Sequence, residues 1–531
     1  MTKHHSLPTN ESTSVSTSTT VTDFGSSPSQ FSPNNRCTLQ ENLKMVQSET
    51  LPLQSTKADE TYETTTNCNT LDMYNRVVSS KPSAFNQVLA AMSVSLVSLV
   101  GGFVTAYTSP ASDSLQRDLL ISDDELSWIG GLMPLGALIG GLSGGKMIEY
   151  LGRKCTLLVT NATLTFSWIC VAVAANQWYL YFGRTIAGVA VGIATLAMPV
   201  YLGEAIQPNI RGTLGLLPTM FGNSGVLLCY IAGSYLQWNH LAWLGVGLPI
   251  PFMILGFVIP ESPKWYVSTS KYENAKRSLQ WLRGKEADVQ QELDRLLVTL
   301  ERSTVTSQSL FQSKNIKPVL ISLGLMFFQQ MSGINAVIFY TSDIFEMAGS
   351  RMIHKDTSTI IVGGVNFIST FVATVLIDKL GRKILLYISS TLMIVTLGFL
   401  GTYFYLLKTG MDVSFIGWLP LLSFMVYVLG FSFGFGAIPW LMMGEILPAH
   451  IRGSGASLAT AFNWACTFVV TKTFVDMIQT IGPHGTFWMF CLVGVISVVF
   501  IFFWVPETQG LSLEEIELKI LSSEIRREEA C

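Results

Sequence analysis

Residues 145–154 read GKMIEYLGRK, and the end of this stretch returns at residues 377–383 as IDKLGRK. The Gly-Arg-Lys triplets that begin at Gly152 and Gly381 stand 381 minus 152, or 229, residues apart. Apolar runs of about 20 residues, the length that crosses a bilayer as a helix, lie on both sides of each copy. A short basic connection that recurs between apolar runs predicts an internally repeated membrane protein.

Two further signatures return in the same order along the chain. They are Glu204 with Arg211-Gly212, repeated as Glu445 with Arg452-Gly453, and Pro260-Glu261-Ser262, repeated as Pro506-Glu507-Thr508. Six apolar runs separate the copies, and an even number gives both halves the same orientation in the membrane. We therefore expect two parallel six-helix repeats with a substrate site at their interface near the midplane.

The composition excludes several classes of protein. Apolar residues make up 49% of the chain and charged residues 13%, against about 25% charged residues in soluble proteins. The net charge of -3 provides no basic field for nucleic acid, and the eight cysteines show no paired spacing. No nucleophile, base and orienting group can be assembled, and no phosphate-binding loop occurs. We expect neither an enzyme nor ATP drive, and neither a cofactor nor a metal.

Hydropathy predicts an all-α integral membrane protein with twelve transmembrane helices. The apolar runs lie at 88–107, 126–148, 155–174, 178–200, 214–236, 241–260, 318–340, 359–378, 384–406, 416–443, 454–477 and 486–505. The predicted domains are a disordered Ser/Thr-rich tail at 1–83, six-helix bundles at 84–262 and 318–510, a linker at 263–317 and a C-terminal tail at 511–531.

Lysine and arginine set the orientation. They concentrate in the connections after spans 2, 4, 8 and 10, so both termini and the linker are expected in the cytosol. Within the linker, residues 271–282 place Ala275, Leu279 and Leu282 on one stripe of a helix. A similar amphipathic helix is expected at residues 513–525.

The paired motifs resemble those of the sugar porter branch of the major facilitator superfamily over about residues 88–510. The resemblance rests on Gly145-x3-Glu149-x2-Gly152-Arg153-Lys154, Pro199-x-Tyr201-x2-Glu204-x6-Arg211-Gly212, Pro260-Glu261-Ser262-Pro263, Gln329-Gln330-x-Ser332-Gly333-x-Asn335 and Pro506-Glu507-Thr508-x-Gly510. It implies the major facilitator fold and sugar transport by alternating access. The expected partners are a small-molecule sugar and the lipid bilayer, with no obligate protein partner evident.

Amide side chains in span 7 are the first candidates for a sugar site. Gln329, Gln330 and Asn335 can each donate and accept hydrogen bonds, as sugar hydroxyls require. Hydrogen bonding between helices is the alternative explanation for any single amide in a span. The resemblance adds further residues to the substrate site: Asn366 on span 8, Phe431 and Trp440 on span 10, and Asn463 with Trp464 on span 11.

Charged residues at the cytosolic span ends form a predicted gating network, in which opposite charges pair across the inner mouth in one state and separate in the other. Positive-inside topology alone is the alternative reason for these charges. The set consists of Arg153, Glu204, Arg211, Glu261, Arg382, Glu445, Arg452 and Glu507. Arg184 lies deeper, inside span 4, and we expect it to be functional and paired with a carboxylate at a helix end.

Departures from the family pattern indicate the mode of transport and the size of the sugar. Proton-coupled sugar porters carry an aspartate in span 1 where this chain has Thr108, so passive uniport is expected. Hexose facilitators place a glutamine where this chain has Thr219, and a glutamate where it has Ser432, which leaves room for a larger sugar. Pro439 remains in span 10, but Ala437 replaces a family proline and is expected to stiffen the gate.

Runs around these departures, such as LLPTMFGN at 216–223, resemble the insect facilitated trehalose transporters. The leading hypothesis is therefore a bidirectional trehalose uniporter of the plasma membrane. A hexose or polyol facilitator is the alternative within the same class. A sugar sensor that binds without transport is the alternative from another class, and gating motifs in both halves argue against it.

Overall fold

The computed structural model describes residues 84–305, 312–348, 355–448, 451–509 and 515–516. The predicted tail at 1–83 and nearly all of the predicted helix at 513–525 lie outside these residues. Every regular element in the described ranges is helical, in agreement with the all-α prediction. The helices are Ala84–Ala106, Thr108–Leu119, Asp123–Leu151, Arg153–Ala172, Gln177–Ala205, Pro208–Gly215, Leu217–Gly233, Trp238–Gly247, Ile250–Val258, Pro263–Ser268, Tyr272–Arg283, Gln290–Val305, Ser313–Met331, Ile334–Phe339, Thr341–Met347, Lys355–Leu380, Arg382–Lys408, Ser414–Ile416, Leu419–Phe433, Ile438–Ile446, Arg452–Thr480 and Gly482–Phe503.

Twelve helical segments of the described chain are long and apolar enough to cross a membrane, and each coincides with a predicted run. Spans 1 to 6, the N half, are Ala84–Ala106, Asp123–Leu151, Arg153–Ala172, Gln177–Ala205, Thr213–Gly233 and Trp238–Val258. Spans 7 to 12, the C half, are Asn315–Phe339, Thr357–Ile377, Arg382–Lys408, Ser414–Ile446, Arg452–Thr480 and Gly482–Phe503. The twelve-span prediction is confirmed.

The repeated Gly-Arg-Lys triplets fold identically in the two halves. Gly152 and Gly381 have φ angles of 89° and 86°, a region that side chains with a Cβ rarely adopt. Each glycine ends one span and begins the next, so it turns the chain between spans 2 and 3 and between spans 8 and 9. A Cβ at Gly152 would also lie 2.5 Å from a carboxylate oxygen of Glu261. The glycine of the repeated triplet is therefore required by the backbone conformation of the turn between two spans.

The amide motif of span 7 predicts a continuous helix, but the structure shows a break within the motif. The helix ends at Met331 and restarts at Ile334, because Gly333 has a φ of 89°. A Cβ at Gly333 would lie 2.8 Å from the ring of Phe490, so the position has no room for a side chain. As a result, Gln329 and Gln330 belong to one helical segment and Asn335 to the next.

Span 10 breaks as well, between Phe433 and Ile438. Pro439 lies in the first turn of the helix that follows the break, where a missing N–H group costs nothing. The backbone at Gly434 is non-helical, and a Cβ there would lie 2.8 Å from the carbonyl oxygen of Leu385. The interruption thus precedes Pro439 and contains Ala437.

Glycines let pairs of spans pack backbone against backbone. A Cβ at Gly140 of span 2 would lie 2.2 Å from the carbonyl oxygen of Val189 in span 4. A Cβ at Gly225 of span 5 would lie 2.0 Å from the carbonyl oxygen of Leu99 in span 1. Each of these pairs is therefore held too close for any larger residue.

The linker forms a small helical layer that docks on the N half. The predicted stripe is confirmed, since Ala275, Leu279 and Leu282 are buried in the helix Tyr272–Arg283. The Asn86 amide of span 1 donates to the carbonyl oxygen of Trp281 at 2.6 Å. The Arg283 guanidinium donates to the carbonyl oxygen at the end of span 4, on Ala205, at 2.8 Å. The linker therefore extends the N half.

Candidate functional site

A cavity lies where span 5 of the N half faces spans 7, 8 and 10 of the C half. About 540 Å³ of space there is not filled by atoms, a volume that includes open solvent at its mouth. It extends to Leu216 and Ile377, at the span ends that carry the repeated charged motifs. Its lining includes the predicted residues Thr219, Asn366 and Phe431 together with Asn223, Ile334, Ile338, Thr370, Ala373, Thr374, Ser432, Gly436 and Ala437.

Four polar side chains of this lining, the cavity cluster, join into one chain of hydrogen bonds. Ser432 donates to the Asn366 side-chain oxygen at 3.2 Å. The Asn366 amide donates to the Asn223 side-chain oxygen at 3.4 Å, and the Asn223 amide donates to the Thr370 hydroxyl at 2.6 Å. Because Asn223 belongs to span 5 and its partners to span 8, the cavity cluster links the two halves.

A second group, the amide cluster, contains four predicted site residues on spans 7 and 11. The Asn463 amide donates to the Gln329 side-chain oxygen at 2.7 Å, and the Gln330 amide donates to the Asn463 side-chain oxygen at 3.1 Å. Asn335 donates to the side-chain oxygen of Gln330. All but Asn335 are buried, and none of the four lines the cavity. In this structure the four side chains hydrogen-bond one another, although each amide group can form further hydrogen bonds.

The two clusters are close neighbours in the fold. Gln329 donates its side-chain amide to the carbonyl oxygen of Phe435 at 2.6 Å, and the next residue, Gly436, lines the cavity. Ile334 also lines the cavity and directly precedes Asn335 of the amide cluster. An apolar wall of span 7 and the broken backbone of span 10 therefore separate the two polar groups.

The predicted tryptophans lie at the edge of this region. Trp440 is partly buried and packs against an apolar group that includes Met326 and Leu447. Trp464 is also partly buried, and its indole Nε1 atom has no hydrogen-bond partner. The hydroxyl of Thr460, one turn earlier on span 11, has none either. Neither tryptophan lines the cavity.

The charged motifs meet at one end of the molecule, here named the motif face and marked by Arg153, Glu261, Arg382 and Glu507. In the N half, the Arg153 guanidinium holds both oxygens of Glu204, at 2.8 and 2.9 Å. Glu261 accepts the backbone N–H groups of Arg153 and Lys154 at 2.9 and 3.0 Å. This carboxylate therefore caps span 3, where the helix dipole favours negative charge.

The C half repeats this arrangement with small changes. Arg382 donates to Glu445 at 3.1 Å, and Glu507 accepts the backbone N–H of Lys383 at 2.9 Å. Thr508 donates to Glu445 at 2.6 Å, as Ser262 does to Glu204 in the first half. Ser262 and Thr508 were not predicted as site residues, although their place in the repeated motif is a sequence signal for this role.

Burial raises the pKa of the Glu507 carboxyl, but hydrogen bonds from the backbone N–H groups of Gln509, Lys383, Arg382 and Thr508 outweigh that effect and bring the net pKa below its usual value of 4.5. Glu507 lies beyond span 12 and outside the membrane-spanning segments. The cap at the start of span 9 is therefore charged at neutral pH.

The remaining predicted gating arginines bind backbone. Arg211 donates to the carbonyl oxygen of Ile206 at 3.0 Å, and Arg452 donates to that of Leu447 at 3.2 Å. Two ion pairs of the motif face each lie within one half, Arg153 with Glu204 and Arg382 with Glu445. The prediction that such charges pair across the mouth stays a prediction for another state of the molecule.

Arg184 corrects one expectation. Its guanidinium is 1% exposed and donates to the carbonyl oxygens of Val104 at 2.6 Å and Ile129 at 3.2 Å, and to the hydroxyl of Thr108 at 3.3 Å. No carboxylate is its ion-pair partner among the described residues. Span 1 ends at Ala106, so the Val104 carbonyl is in the last turn, where carbonyl oxygens lack helical partners.

The opposite end of the molecule, the distal face, is closed by contacts between the halves. The hydroxyls of Ser109 and Ser342 lie 3.2 Å apart, and Tyr230 donates to the carbonyl oxygen of Ile338 at 2.8 Å. Lys472 of span 11 lies 3.0 Å from a carboxylate oxygen of Asp124 in span 2. The cavity therefore ends below a sealed distal face and extends toward the motif face.

Sequence reasoning missed several of these residues. Thr370 stands four residues after Asn366, and Asn223 four after Thr219, so helical spacing could have placed each beside a predicted residue. Lys472 is a cation in the interior of span 11, which is itself a functional signal. By contrast, nothing in the sequence indicates which side chains of the two halves come into contact.

A sequence model of the family described as "Sugar (and other) transporter" matches residues 52–519. This chain belongs to that transporter family. A facilitated trehalose transporter of Culex quinquefasciatus is 59% identical over 445 residues, which are 82% of this chain and 86% of that protein. Its namesake in Polypedilum vanderplanki is 56% identical, over 82% of this chain and 88% of that protein.

The chain spans about half the length of some other curated relatives, such as 55% of an Aedes aegypti facilitated trehalose transporter to which it is 58% identical. Among solved structures, the proton:xylose symporter XylE bound to 6-bromo-6-deoxy-D-glucose matches with a TM-score of 0.71 and 26% identity, over 82% of this chain and 99% of that one. A partially occluded inward-open XylE from E. coli gives a TM-score of 0.69 at 25% identity, over 81% of this chain and all of that one. The chain therefore has the major facilitator fold and is a multi-pass membrane protein.

Proposed function

We propose that this chain is a facilitative, uncoupled and bidirectional trehalose uniporter that works by alternating access. It acts in the plasma membrane, with its motif face and both termini in the cytosol and without an obligate protein partner. The cavity between the halves carries this proposal. Its lining offers hydroxyls and amides from both halves, the groups that bind sugar hydroxyls.

The identity of the sugar is supported by the relatives and by the cavity. Proteins named facilitated trehalose transporters are 56% to 59% identical to this chain over 82% of its length. Thr219 and Ser432 both line the cavity, and each is shorter than the residue of hexose facilitators at the matching position. A cavity widened at two points suits a disaccharide better than a single ring.

The lack of coupling is supported by the surroundings of Arg184. Thr108, at the position where proton-coupled porters carry an aspartate, is the side chain that the guanidinium reaches. A threonine hydroxyl does not titrate in the physiological range. The described cavity lining also contains no carboxylate. Transport by this chain should then follow the sugar gradient alone.

Uptake in oocytes tests the proposal. Labelled trehalose and labelled glucose are offered at acidic and neutral external pH, and efflux is followed from preloaded cells. We expect trehalose to move in both directions at a rate independent of pH, without accumulation above the gradient. Glucose flux alone would replace the proposal with a hexose facilitator, and surface protein without flux of either sugar would favour a sensor.

Epitope accessibility tests the location and orientation. A tag at either terminus should bind antibody only after the plasma membrane is permeabilised. A tag inserted after Gly410, in the connection between spans 9 and 10, should bind antibody on intact cells. Staining confined to internal membranes would contradict the location, and exposure of the terminal tags on intact cells would contradict the orientation.

A further inference from the structure

Asn223 is an amide that the N half contributes to the cavity, and neither the predicted site nor the transport motifs assign it a role. It lines the cavity from span 5, one helical turn after Thr219, so both side chains point to the same side. It is partly exposed there rather than sealed into helix packing. A polar group in this position is available to a ligand.

Span 8 presents a matching pair of polar groups directly opposite. Asn366 and Thr370 are also one helical turn apart, and both are within hydrogen-bond distance of Asn223, at 3.4 and 2.6 Å. Their other partners are Ser432 and the helix itself, because Thr370 donates to the Asn366 backbone carbonyl at 2.9 Å. The side chains of the cavity cluster therefore hydrogen-bond one another across the two halves.

Trehalose consists of two glucosyl rings, and each ring carries its own set of hydroxyls. Two polar groups lie in this region: the cavity cluster on spans 5, 8 and 10 and, behind the apolar wall of span 7, the amide cluster on spans 7 and 11. Ile334, Ile338 and Phe431 provide apolar surface beside the cavity cluster, suited to the C–H faces of the rings. This division matches a ligand with two hydroxyl-bearing ends.

We propose that Asn223 and Thr370 form a subsite for the second glucosyl ring, so that Asn223 selects a disaccharide over a single-ring sugar. This inference rests on the proposed function. The ring hydroxyls replace the bond between Asn223 and Thr370, and the ring then hydrogen-bonds both halves. Binding of the second ring thus exchanges one link between the halves for another, and the amide cluster can hold the first ring only once its side chains turn from one another toward the cavity.

Competition for uptake tests the subsite. Asn223→Leu removes the amide at nearly constant volume, and Thr370→Val removes the hydroxyl in the same way. The control is Ser224→Ala, the neighbouring residue, whose hydroxyl bonds the carbonyl of Met220 in its own helix. Unlabelled trehalose and methyl α-D-glucoside, a single ring, compete with labelled trehalose, and surface protein is quantified for each variant.

We expect Asn223→Leu and Thr370→Val to raise the half-inhibiting concentration of trehalose about tenfold, the effect of one or two hydrogen bonds. That of methyl glucoside should change less than about twofold by the same reasoning, and Ser224→Ala should change neither. Unchanged trehalose inhibition, or an equal loss for both ligands, would overturn the subsite. Failure of the unaltered protein to take up trehalose would instead overturn the proposed function.

If a variant reaches the cell surface in low amounts, a binding measurement on purified protein can still test the subsite. The variants can be purified in detergent, and a ligand that binds the folded state raises the melting temperature with its concentration. Under the subsite proposal, trehalose stabilises Asn223→Leu only at about tenfold higher concentration than it stabilises the unaltered protein. Equal stabilisation of both proteins by trehalose would overturn the subsite.

Discussion

The amides of span 7 show how one residue can serve both packing and binding. Gln330 donates to Asn463 and accepts from Asn335, so it stands in the middle of the amide cluster. A sugar that enters must exchange these bonds for its own, and each exchange is nearly neutral when every group finds a new partner. Loss of the central amide would remove one hydrogen bond from each of two neighbours, the donor to the Asn463 side-chain oxygen and the acceptor of the Asn335 amide.

We predict that Gln330→Ala raises the half-saturating trehalose concentration about tenfold or more, because bonds to the sugar and within the cluster are both lost. Surface protein should stay within about twofold, since only a few kcal/mol at most are removed. The measurement is concentration-dependent uptake normalised to surface protein. Gln290→Ala, an amide of the linker helix Gln290–Val305, is the control. Transport that does not change in Gln330→Ala would remove this residue from the site.

A second residue-scale prediction concerns Thr108, which the Arg184 guanidinium contacts at 3.3 Å. Thr108→Asp places a carboxylate beside a buried cation and so introduces a group that titrates. We predict that trehalose uptake becomes dependent on external pH in this variant. Thr108→Asn, which adds similar volume without a charge, should show the same flat pH profile as the unaltered protein. A flat profile in Thr108→Asp would contradict the role assigned to this position.

At the scale of elements, spans 1 and 5 form one unit because glycines bring their backbones together. A Cβ at Gly225 would lie 2.0 Å from the Leu99 carbonyl oxygen, whereas a Cβ at Gly203 in span 4 meets no atom within 4 Å. We predict that Gly225→Ala lowers stability by about 1–3 kcal/mol through overpacking. Gly203→Ala should be neutral or slightly stabilising.

Thermal unfolding of the two purified variants measures this difference. Melting temperatures should separate Gly225→Ala from Gly203→Ala in the stated direction, and trehalose uptake per folded molecule should fall only in the former. Equal melting temperatures would show that spans 1 and 5 can move apart to admit a methyl group.

The capped start of span 9 predicts a pH effect. The pKa of Glu507 lies below its usual value in the folded protein, because four backbone N–H groups donate to the charged form. Its contribution to stability is therefore present above pH 4.5 and is lost as pH falls through the lower folded pKa. We predict that Glu507→Gln lowers the melting temperature at neutral pH and that the difference shrinks in acid.

The control for this cap is Glu149→Gln. Glu149 is an exposed residue of the same face, and its backbone carbonyl, not its carboxylate, accepts a hydrogen bond from Trp265. This variant should melt like the unaltered protein at every pH. A Glu507→Gln deficit that persists unchanged into acid would show that the lost contact is one of shape and not of charge.

At the scale of the whole molecule, Lys472 stabilises the closed distal face through contacts between the two halves. It lies 3.0 Å from Asp124 and 4.9 Å from the centre of the Trp128 ring, and both partners belong to the other half. A contact made only while this face is closed stabilises the closed state and no other. Removing it should shift the population toward a state that is open on the distal side.

We predict that Lys472→Met increases labelling of Ser342→Cys by a membrane-impermeant thiol reagent on intact cells, because this position is 5% exposed in the closed state. Lys408→Met, which removes an exposed cation at the distal end of span 9, is the control and should leave labelling unchanged. Equal labelling with and without Lys472 would show that other contacts alone hold the face closed.

Much of the fold could be predicted from the sequence because hydropathy and motif repetition are local properties. The twelve spans and the linker stripe of Ala275, Leu279 and Leu282 required no knowledge of tertiary contacts. The cluster of Gln329, Gln330 and Asn335 was also visible from spacing, although the break at Gly333 was not. The ring of Phe490, which is distant in sequence, is what leaves no room for a side chain at Gly333.

The remaining features depend on partners that carry no sequence signal. Arg184 binds backbone carbonyls, which every residue possesses, so its partner could not be predicted. The link from Asn223 to Thr370 exists only because spans 5 and 8 meet across the two halves. The sequence likewise showed Glu261 and Glu507 as charges, whereas the structure adds that their oxygens accept backbone N–H groups at helix starts.

The close contact of spans 1 and 5 has a consequence for how the specificity of such a carrier can diverge. Gly102 and Gly225 cannot change without separating two backbones, because a Cβ at either position would lie about 2 Å from a carbonyl oxygen. Thr219 and Asn223 lie on the same span but face the cavity, where Asn223 contacts side chains of span 8 and not a neighbouring backbone. Descendants of a duplicated gene could therefore acquire new sugars through these two positions while inheriting the frame that holds them unaltered.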